Sequence, residues 1–288
     1  MRLSACVLLC LSAAGTAAAQ GNDWPAYGRD PGGERHSPLT QIDTANVGRL
    51  TVAWRFSTGE AAPDRAAANR TSFEATPLVV DGVMFVSTPL GRVFALDAAT
   101  GEERWRFDAR VDRRIEYGDH TNRGVSYWAD GQAAAGAPCA RRVILGTIDA
   151  RLIALDAATG RPCAAFGRGG TVRIASPRRI GEGEPGEYEL TSPPAVVGDV
   201  LVVGSAVADN RSTRQPSGEV RGFDARTGRR LWSWDPIPQD PRDPAYASWD
   251  GAEAHRTGAA NAWSIIAADT ARGLVFVPTS SPSPDYYG

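Results

Sequence analysis

A few positions carry side chains whose chemistry goes beyond packing. Arg123 stands in the run His120-Thr-Asn-Arg-Gly-Val-Ser-Tyr127. A guanidinium fork recognises a carboxylate through paired hydrogen bonds, and the chain contains no lysine, so any cationic contact to an acidic ligand falls to arginine. Asp209 and Asn210 are adjacent in Gly204-Ser-Ala-Val-Ala-Asp-Asn210. A carboxylate beside an amide offers hard oxygen ligands suited to Ca2+ or Mg2+, and the same dipeptide also makes an ordinary turn. Trp263, in Asn261-Ala-Trp263-Ser, presents a flat indole that either fills a core or carries a planar ring. Taken alone, Glu74 reads as a solvated carboxylate ahead of an apolar run and His120 as a loop histidine. No carboxylate pair is spaced so as to single out a hydrolytic cleft.

These residues need a frame, and the composition supplies one. The 288 residues hold 31 basic and 33 acidic side chains with 42% hydrophobic content. That is enough apolar material for a sizeable core, and the charge balance gives no signature for nucleic acid or an anionic membrane. Residues 1–19 read as a signal peptide: Arg2, an apolar stretch from Leu3 to Ala14, and the small residues Ala17-Ala18-Ala19. Export to the periplasm is the expectation, with residues 20–288 as one domain and no transmembrane segment, since no apolar run reaches the length of a span. Of 4 cysteines, Cys6 and Cys10 leave with the leader, and Cys139 and Cys163 remain. In an oxidising compartment these are read as a disulfide, flanking a strand pair (142–147 and 151–155) able to bring them together; two unpaired buried thiols are the other reading.

One phrase recurs: Ala95-Leu-Asp-Ala-Ala-Thr-Gly-Glu-Glu-Arg-Trp105, Ala154-Leu-Asp-Ala-Ala-Thr-Gly-Arg-Pro-Cys-Ala-Ala-Phe166 and Gly222-Phe-Asp-Ala-Arg-Thr-Gly-Arg-Arg-Leu-Trp232. Internal repetition of this kind defines an architecture. Asp97, Asp156 and Asp224 can accept backbone N–H groups across a turn, and Gly101, Gly160 and Gly228 permit positive φ. Trp105, Phe166 and Trp232 follow where a ring can pack between neighbouring sheets. β-rich runs precede each phrase, and their alternation favours radially repeated four-stranded blades over a helical solenoid. The stretches 61–70, 129–138, 175–187 and 236–256 read as top-face or rim loops.

The repeat resembles the tryptophan-docking motif of the PQQ-dependent (quinoprotein) dehydrogenases, where PQQ is pyrroloquinoline quinone. Trp24-Pro-Ala-Tyr-Gly-Arg-Asp30, Arg35-His-Ser-Pro-Leu39, Asn46-Val-Gly-Arg-Leu50 and Ala53-Trp-Arg-Phe-Ser-Thr-Gly59 resemble the start of these enzymes in order and spacing, so the likeness spans nearly the whole mature chain. The fold it implies is an all-β, eight-bladed propeller, of which this chain would hold about half.

The resemblance also implies roles. Glu74, in Glu74-Ala-Thr-Pro-Leu78, matches a residue that approaches the quinone; Arg123 matches one that contacts PQQ; Trp263 matches the floor on which the cofactor lies. Asp209 and Asn210 match the metal-holding pair of the sugar-oxidising branch, and Ser281, in Thr279-Ser-Ser-Pro282, stands where that branch has a hydroxyl residue and so counts as a third candidate ligand. His120 is expected close to cofactor and substrate. The methanol-oxidising branch has adjacent cysteines just ahead of the arginine, whereas Tyr117 and Gly118 stand here, which disfavours methanol.

By resemblance, the function is metal- and PQQ-dependent oxidation of a sugar or polyol hydroxyl, glucose dehydrogenase-like, with electrons passed to a quinone or cytochrome acceptor. No Cys-x-x-Cys-His haem signature is present. The family's general base, an aspartate in a later blade, has no match here, so the chain reads as an N-terminal fragment that would not turn over alone. The alternative reading is a non-catalytic exported propeller that serves as a binding or outer-membrane assembly scaffold; such propellers share a similar phrase.

Overall fold

The computed structural model describes residues 23–60, 71–174, 185–208, 212–251 and 254–285. The leader at 1–19, the stretch 61–70, most of 175–187, and both Asp209 and Asn210 lie outside the described residues. Among the described residues no helix is long and apolar enough to cross a membrane.

The chain forms a β-propeller of four-stranded antiparallel blades. A short strand, β1 (Thr71–Phe73), precedes the first blade, which is built from β2 (Leu78–Val80), β3 (Val83–Ser87), β4 (Arg92–Asp97) and β5 (Glu103–Asp108). Next, β6 (His120–Asn122) runs parallel to β1. The second blade follows as β7 (Ser126–Ala129), β8 (Arg141–Gly146), β9 (Arg151–Asp156) and β10 (Thr171–Arg173). β11 (Tyr188–Glu189) leads into β12 (Ala195–Val197) and β13 (Val200–Val203), and β14 (Ala206–Val207) returns to pair with β11. β15 (Val220–Asp224) and β16 (Arg230–Trp234) complete the third blade, and β17 (Ala267–Asp269) with β18 (Leu274–Phe276) forms a further hairpin.

Strand periodicity explains the stacking. In β8, Val143 and Leu145 enter the core shared with the first blade, while Ile144 enters the core shared with the third. β9 divides likewise, Ile153 and Leu155 to one side and Leu152 and Ala154 to the other. A sheet buried on both faces needs apolar side chains at successive positions, so these strands read as continuous hydrophobic runs. Leu201 and Val203 of β13 face the second blade, and Val202 faces Ala262 and Ile266 beyond the third. β12 lies against both β7 and β17, so these first strands line the hub.

The repeated phrase forms the turn joining the third and fourth strands of a blade. Asp97 Oδ1 accepts the amides of Ala99 and Thr100, Asp156 Oδ1 those of Ala158 and Thr159, and Asp224 Oδ1 those of Arg226 and Thr227. Gly160 (φ 70°) does more than turn the chain: a Cβ there would lie 2.5 Å from the Trp105 ring, whose Nε1 donates to Ala157 O at 3.0 Å. Trp54 packs in the same way on Gly101, and Phe166 on Gly228. The first and second blades thus set a ring on the turn glycine of the next, and the segment at Trp54 does the same for the first.

Trp232 lies over Gly222 of its own blade and is 38% exposed; the described part of the following sheet, β17 with β18, does not include the third-to-fourth-strand turn that receives such a ring elsewhere. One expectation is corrected here. The loop at 129–138 is not on the face that receives the lead-ins to the first strands. It joins β7 to β8 at the opposite end, where Cys139 N donates to the turn carboxylate of Asp156 at 2.6 Å.

Segment 24–31 crosses the hub. Trp24 and Val79 exchange hydrogen bonds of 2.8 and 2.9 Å, and Pro31 O accepts the amide of Ala268 at 2.8 Å. The segment therefore ties the first blade to β17.

Candidate functional site

Each of the four hub strands is approached by a loop that carries polar or aromatic groups. Glu74 lies just ahead of β2, Arg123 just ahead of β7, Thr191 and Ser192 ahead of β12, and Trp263 ahead of β17. Because hub strands run the same way in successive blades, their lead-ins meet on one face.

The meeting of Glu74 and Arg123 is dictated by register. The parallel pairing of β1 with β6 sets Phe73 opposite Asn122, so the next residue of each strand falls beside the other, and Arg123 Nη2 lies 2.9 Å from Glu74 Oε2. Thr76 N donates to Arg123 O at 3.2 Å, and Gly124 (φ 136°) allows this approach, since a Cβ there would lie 3.1 Å from Thr76 O. Asn122 is buried and fixes the strand end from beneath. Its Oδ1 accepts Ser87 Oγ (2.5 Å) and Gly124 N (3.0 Å), and its Nδ2 donates to Gly146 O (2.9 Å).

The Arg123 side chain is only 13% exposed, its Nη1 is buried without a hydrogen-bond partner, and its guanidinium lies 4.9 Å from the Trp263 ring centroid. Trp263 is anchored through its carbonyl, which accepts Thr191 Oγ1 at 3.2 Å and Ser192 Oγ at 2.6 Å, and it remains 42% exposed. A fixed, half-open indole under a guanidinium with one unused edge fits a flat molecule that carries carboxylates. The ring supplies a stacking surface, and a carboxylate would relieve the unpaired donor, which otherwise costs about 1–3 kcal/mol. PQQ meets both requirements.

His120 begins β6, and its ring meets the edge of Tyr117 at 5.6 Å and 84°. Burial pushes the Tyr117 phenol up to about 12. Glu189, 2% exposed, accepts the amides of Gly118 (2.5 Å) and Asp119 (3.1 Å). Burial raises its carboxyl to about 8 against the opposing effect of those amides.

For a metal the described residues say less. Among them no group of three or more His, Cys, Asp and Glu converges. Ser281 lies beside the segment leading to Trp263, its carbonyl accepting Ala260 N at 3.0 Å. The neighbouring Ser280 donates its hydroxyl to Asn261 Oδ1 at 3.0 Å, and Asn261 Nδ2 donates to Ser205 O at 2.7 Å, so Asn261 joins this segment to the run that leads to 209–210. Cys139 and Cys163 form a disulfide with Cα atoms 5.8 Å apart, at the turn end of the second blade and away from the lead-ins.

Sequence reasoning passed over Glu189, Thr191 and Ser192, and gave no role to Asn122 or Asn261. One signal was available: Glu189-Leu-Thr-Ser-Pro-Pro194 sets a carboxyl and two hydroxyls directly before a double proline, which holds the approach to β12 extended.

Residues 24–288 match a family model described as PQQ: glucose/ethanol/alcohol dehydrogenase, beta-propeller domain. The glycerol dehydrogenase large subunit of Gluconobacter oxydans is 38% identical over 92% of this chain and 35% of its own length. The quinoprotein glucose dehydrogenase of Escherichia coli is 38% identical over 92% of this chain and 33% of its own. Among solved structures, the quinohemoprotein alcohol dehydrogenase of Comamonas testosteroni superposes with a TM-score of 0.67 at 30% identity, over 93% of this chain and 37% of that one. The chain therefore spans about a third of the length of the curated relatives it matches.

Proposed function

The chain belongs to the PQQ-dependent glucose/ethanol/alcohol dehydrogenase β-propeller family, and from that premise we propose that it provides the cofactor seat of a quinoprotein that oxidises a sugar or polyol hydroxyl. One observation carries the reading: Arg123, paired on one edge with Glu74 and unpaired on the other, lies over the half-open indole of Trp263. In this reading Arg123 binds a quinone carboxylate, Glu74 orients the guanidinium, and Trp263 carries the ring system. Thr191 and Ser192 hold the indole through its backbone, and His120 stands on the substrate side of Arg123. Bound PQQ supplies the two-electron acceptor that no side chain can provide.

Asp209 and Asn210, with Ser281 as a weaker third, are proposed to hold Ca2+ or Mg2+. The preference for a sugar or polyol is supported by the names of the glycerol and glucose dehydrogenases and by Tyr117-Gly118 in place of adjacent cysteines. A quinone or cytochrome acceptor and a periplasmic location complete the proposal. The test is PQQ titration of the full-length protein with Ca2+, followed by quenching of tryptophan fluorescence. Saturable binding that R123A abolishes supports the seat, and equal binding by wild type and R123A refutes it.

A further inference from the structure

Glu189 is a buried carboxyl to which the cofactor reading gives no task, yet it stands where the elements of the seat are joined. Ahead of it, Glu187 O accepts the amide of Ala208 at 3.3 Å, next to the metal candidates. Beyond it, Thr191 O accepts the amide of Arg123 at 2.9 Å, and Thr191 and Ser192 hold the Trp263 carbonyl. Glu189 itself fastens the remaining piece, the bend at Tyr117–Asp119 that feeds His120 and Arg123. The fit is close: a Cβ on Gly118 would lie 3.0 Å from Glu189 Oε1.

We infer that Glu189 is a positioning residue of the quinone seat, whose carboxyl sets the bend ahead of His120 by accepting the amides of Gly118 and Asp119. The inference rests on the cofactor reading above. A purely structural role would be served by any acceptor of the right shape, but a carboxyl adds a titratable charge under the bend that leads through His120 to Arg123. The titratable groups facing it are Asp119 and Tyr117 from the bend, with His120 against Tyr117 and with Asp112, Asp149 and Arg151 beyond. Arg221 lies over the neighbouring Tyr188 on the other side, 5.9 Å from its ring. Burial keeps the group protonated up to about pH 8, so the bend is held without a buried negative charge under it.

The test uses the full-length protein with PQQ and Ca2+, comparing wild type, E189Q, E189A and R123A on both sides of about pH 8. Amide hydrogen exchange across 117–123 is measured in parallel without PQQ. Glutamine keeps a carbonyl acceptor and cannot ionise, so E189Q should bind PQQ as wild type does in acid and should lack the wild-type loss of affinity above about pH 8. E189A should weaken binding by about tenfold, the effect of one lost hydrogen bond, and speed exchange at Gly118 and Asp119. If E189A proves unfolded, the E189Q pH profile alone decides. Should E189Q keep the wild-type pH response, or E189A match wild type in affinity and exchange while R123A loses PQQ, the role of Glu189 falls and the seat stands. Should R123A bind PQQ as wild type does, the seat falls and this inference with it.

Discussion

Glu74 and Arg123 form a 2.9 Å ion pair because a parallel pair of three-residue strands places them side by side. The pair is local to neither blade, and it leaves one guanidinium edge for a ligand. R123A should lower PQQ affinity by about 30-fold or more, the cost of truncating one partner of a desolvated charge contact. R123K should recover only part of this, because an ammonium gives neither the fork nor the stack. Fluorescence titration checks both.

Trp263 is held by its backbone carbonyl, so changing its ring should leave the loop in place. W263F is expected to bind PQQ within about fivefold of wild type and W263A to lose about tenfold or more, following the loss of stacking area. Circular dichroism should show the same fold in all variants.

The Trp105 ring on Gly160 is a blade-to-blade contact without a ligand. G160A adds a methyl group where φ is positive and the ring is 2.5 Å away, and should destabilise by about 2 kcal/mol. Urea denaturation should report that loss with no change in PQQ affinity beyond that due to unfolding.

The Cys139–Cys163 disulfide closes a loop of sequence separation 24, and removing it as the C139S/C163S double variant should cost about 3 kcal/mol. Its place at the turn end predicts unchanged PQQ affinity in the protein that remains folded.

Glu189 ties stability to pH. Its folded carboxyl titrates at about 8 against an ordinary 4.5, so between these values the native state binds a proton that the unfolded chain has lost. The contribution of this group is full below about pH 4.5 and falls as pH rises to about 8, with a slope of about 1.4 kcal/mol per pH unit at most. E189Q should flatten that slope in denaturation measured across the window.

What was legible in the sequence follows from the range of each interaction. The Asp97, Asp156 and Asp224 turns could be read directly because carboxylate, amides and glycine lie within a few residues of one another. The blades followed from repetition of that phrase and from the apolar runs before it. The contact between Glu74 and Arg123 could not be read from spacing, because it depends on how two short strands that precede different blades align. Glu189 escaped for the same reason: its partners at Gly118 and Asp119 are distant in sequence, and an isolated glutamate carries no mark of burial.

The crossing of the hub by residues 24–31 has a mechanical consequence. Trp24 grips the first sheet and Pro31 the hairpin after the third, so this stretch works as a guy-line whose length limits how far those sheets can splay. Arg123 and Trp263 belong to sheets between and at these anchor points. Slack introduced by lengthening the line at Gly28 should therefore loosen the gap between guanidinium and indole without altering either residue.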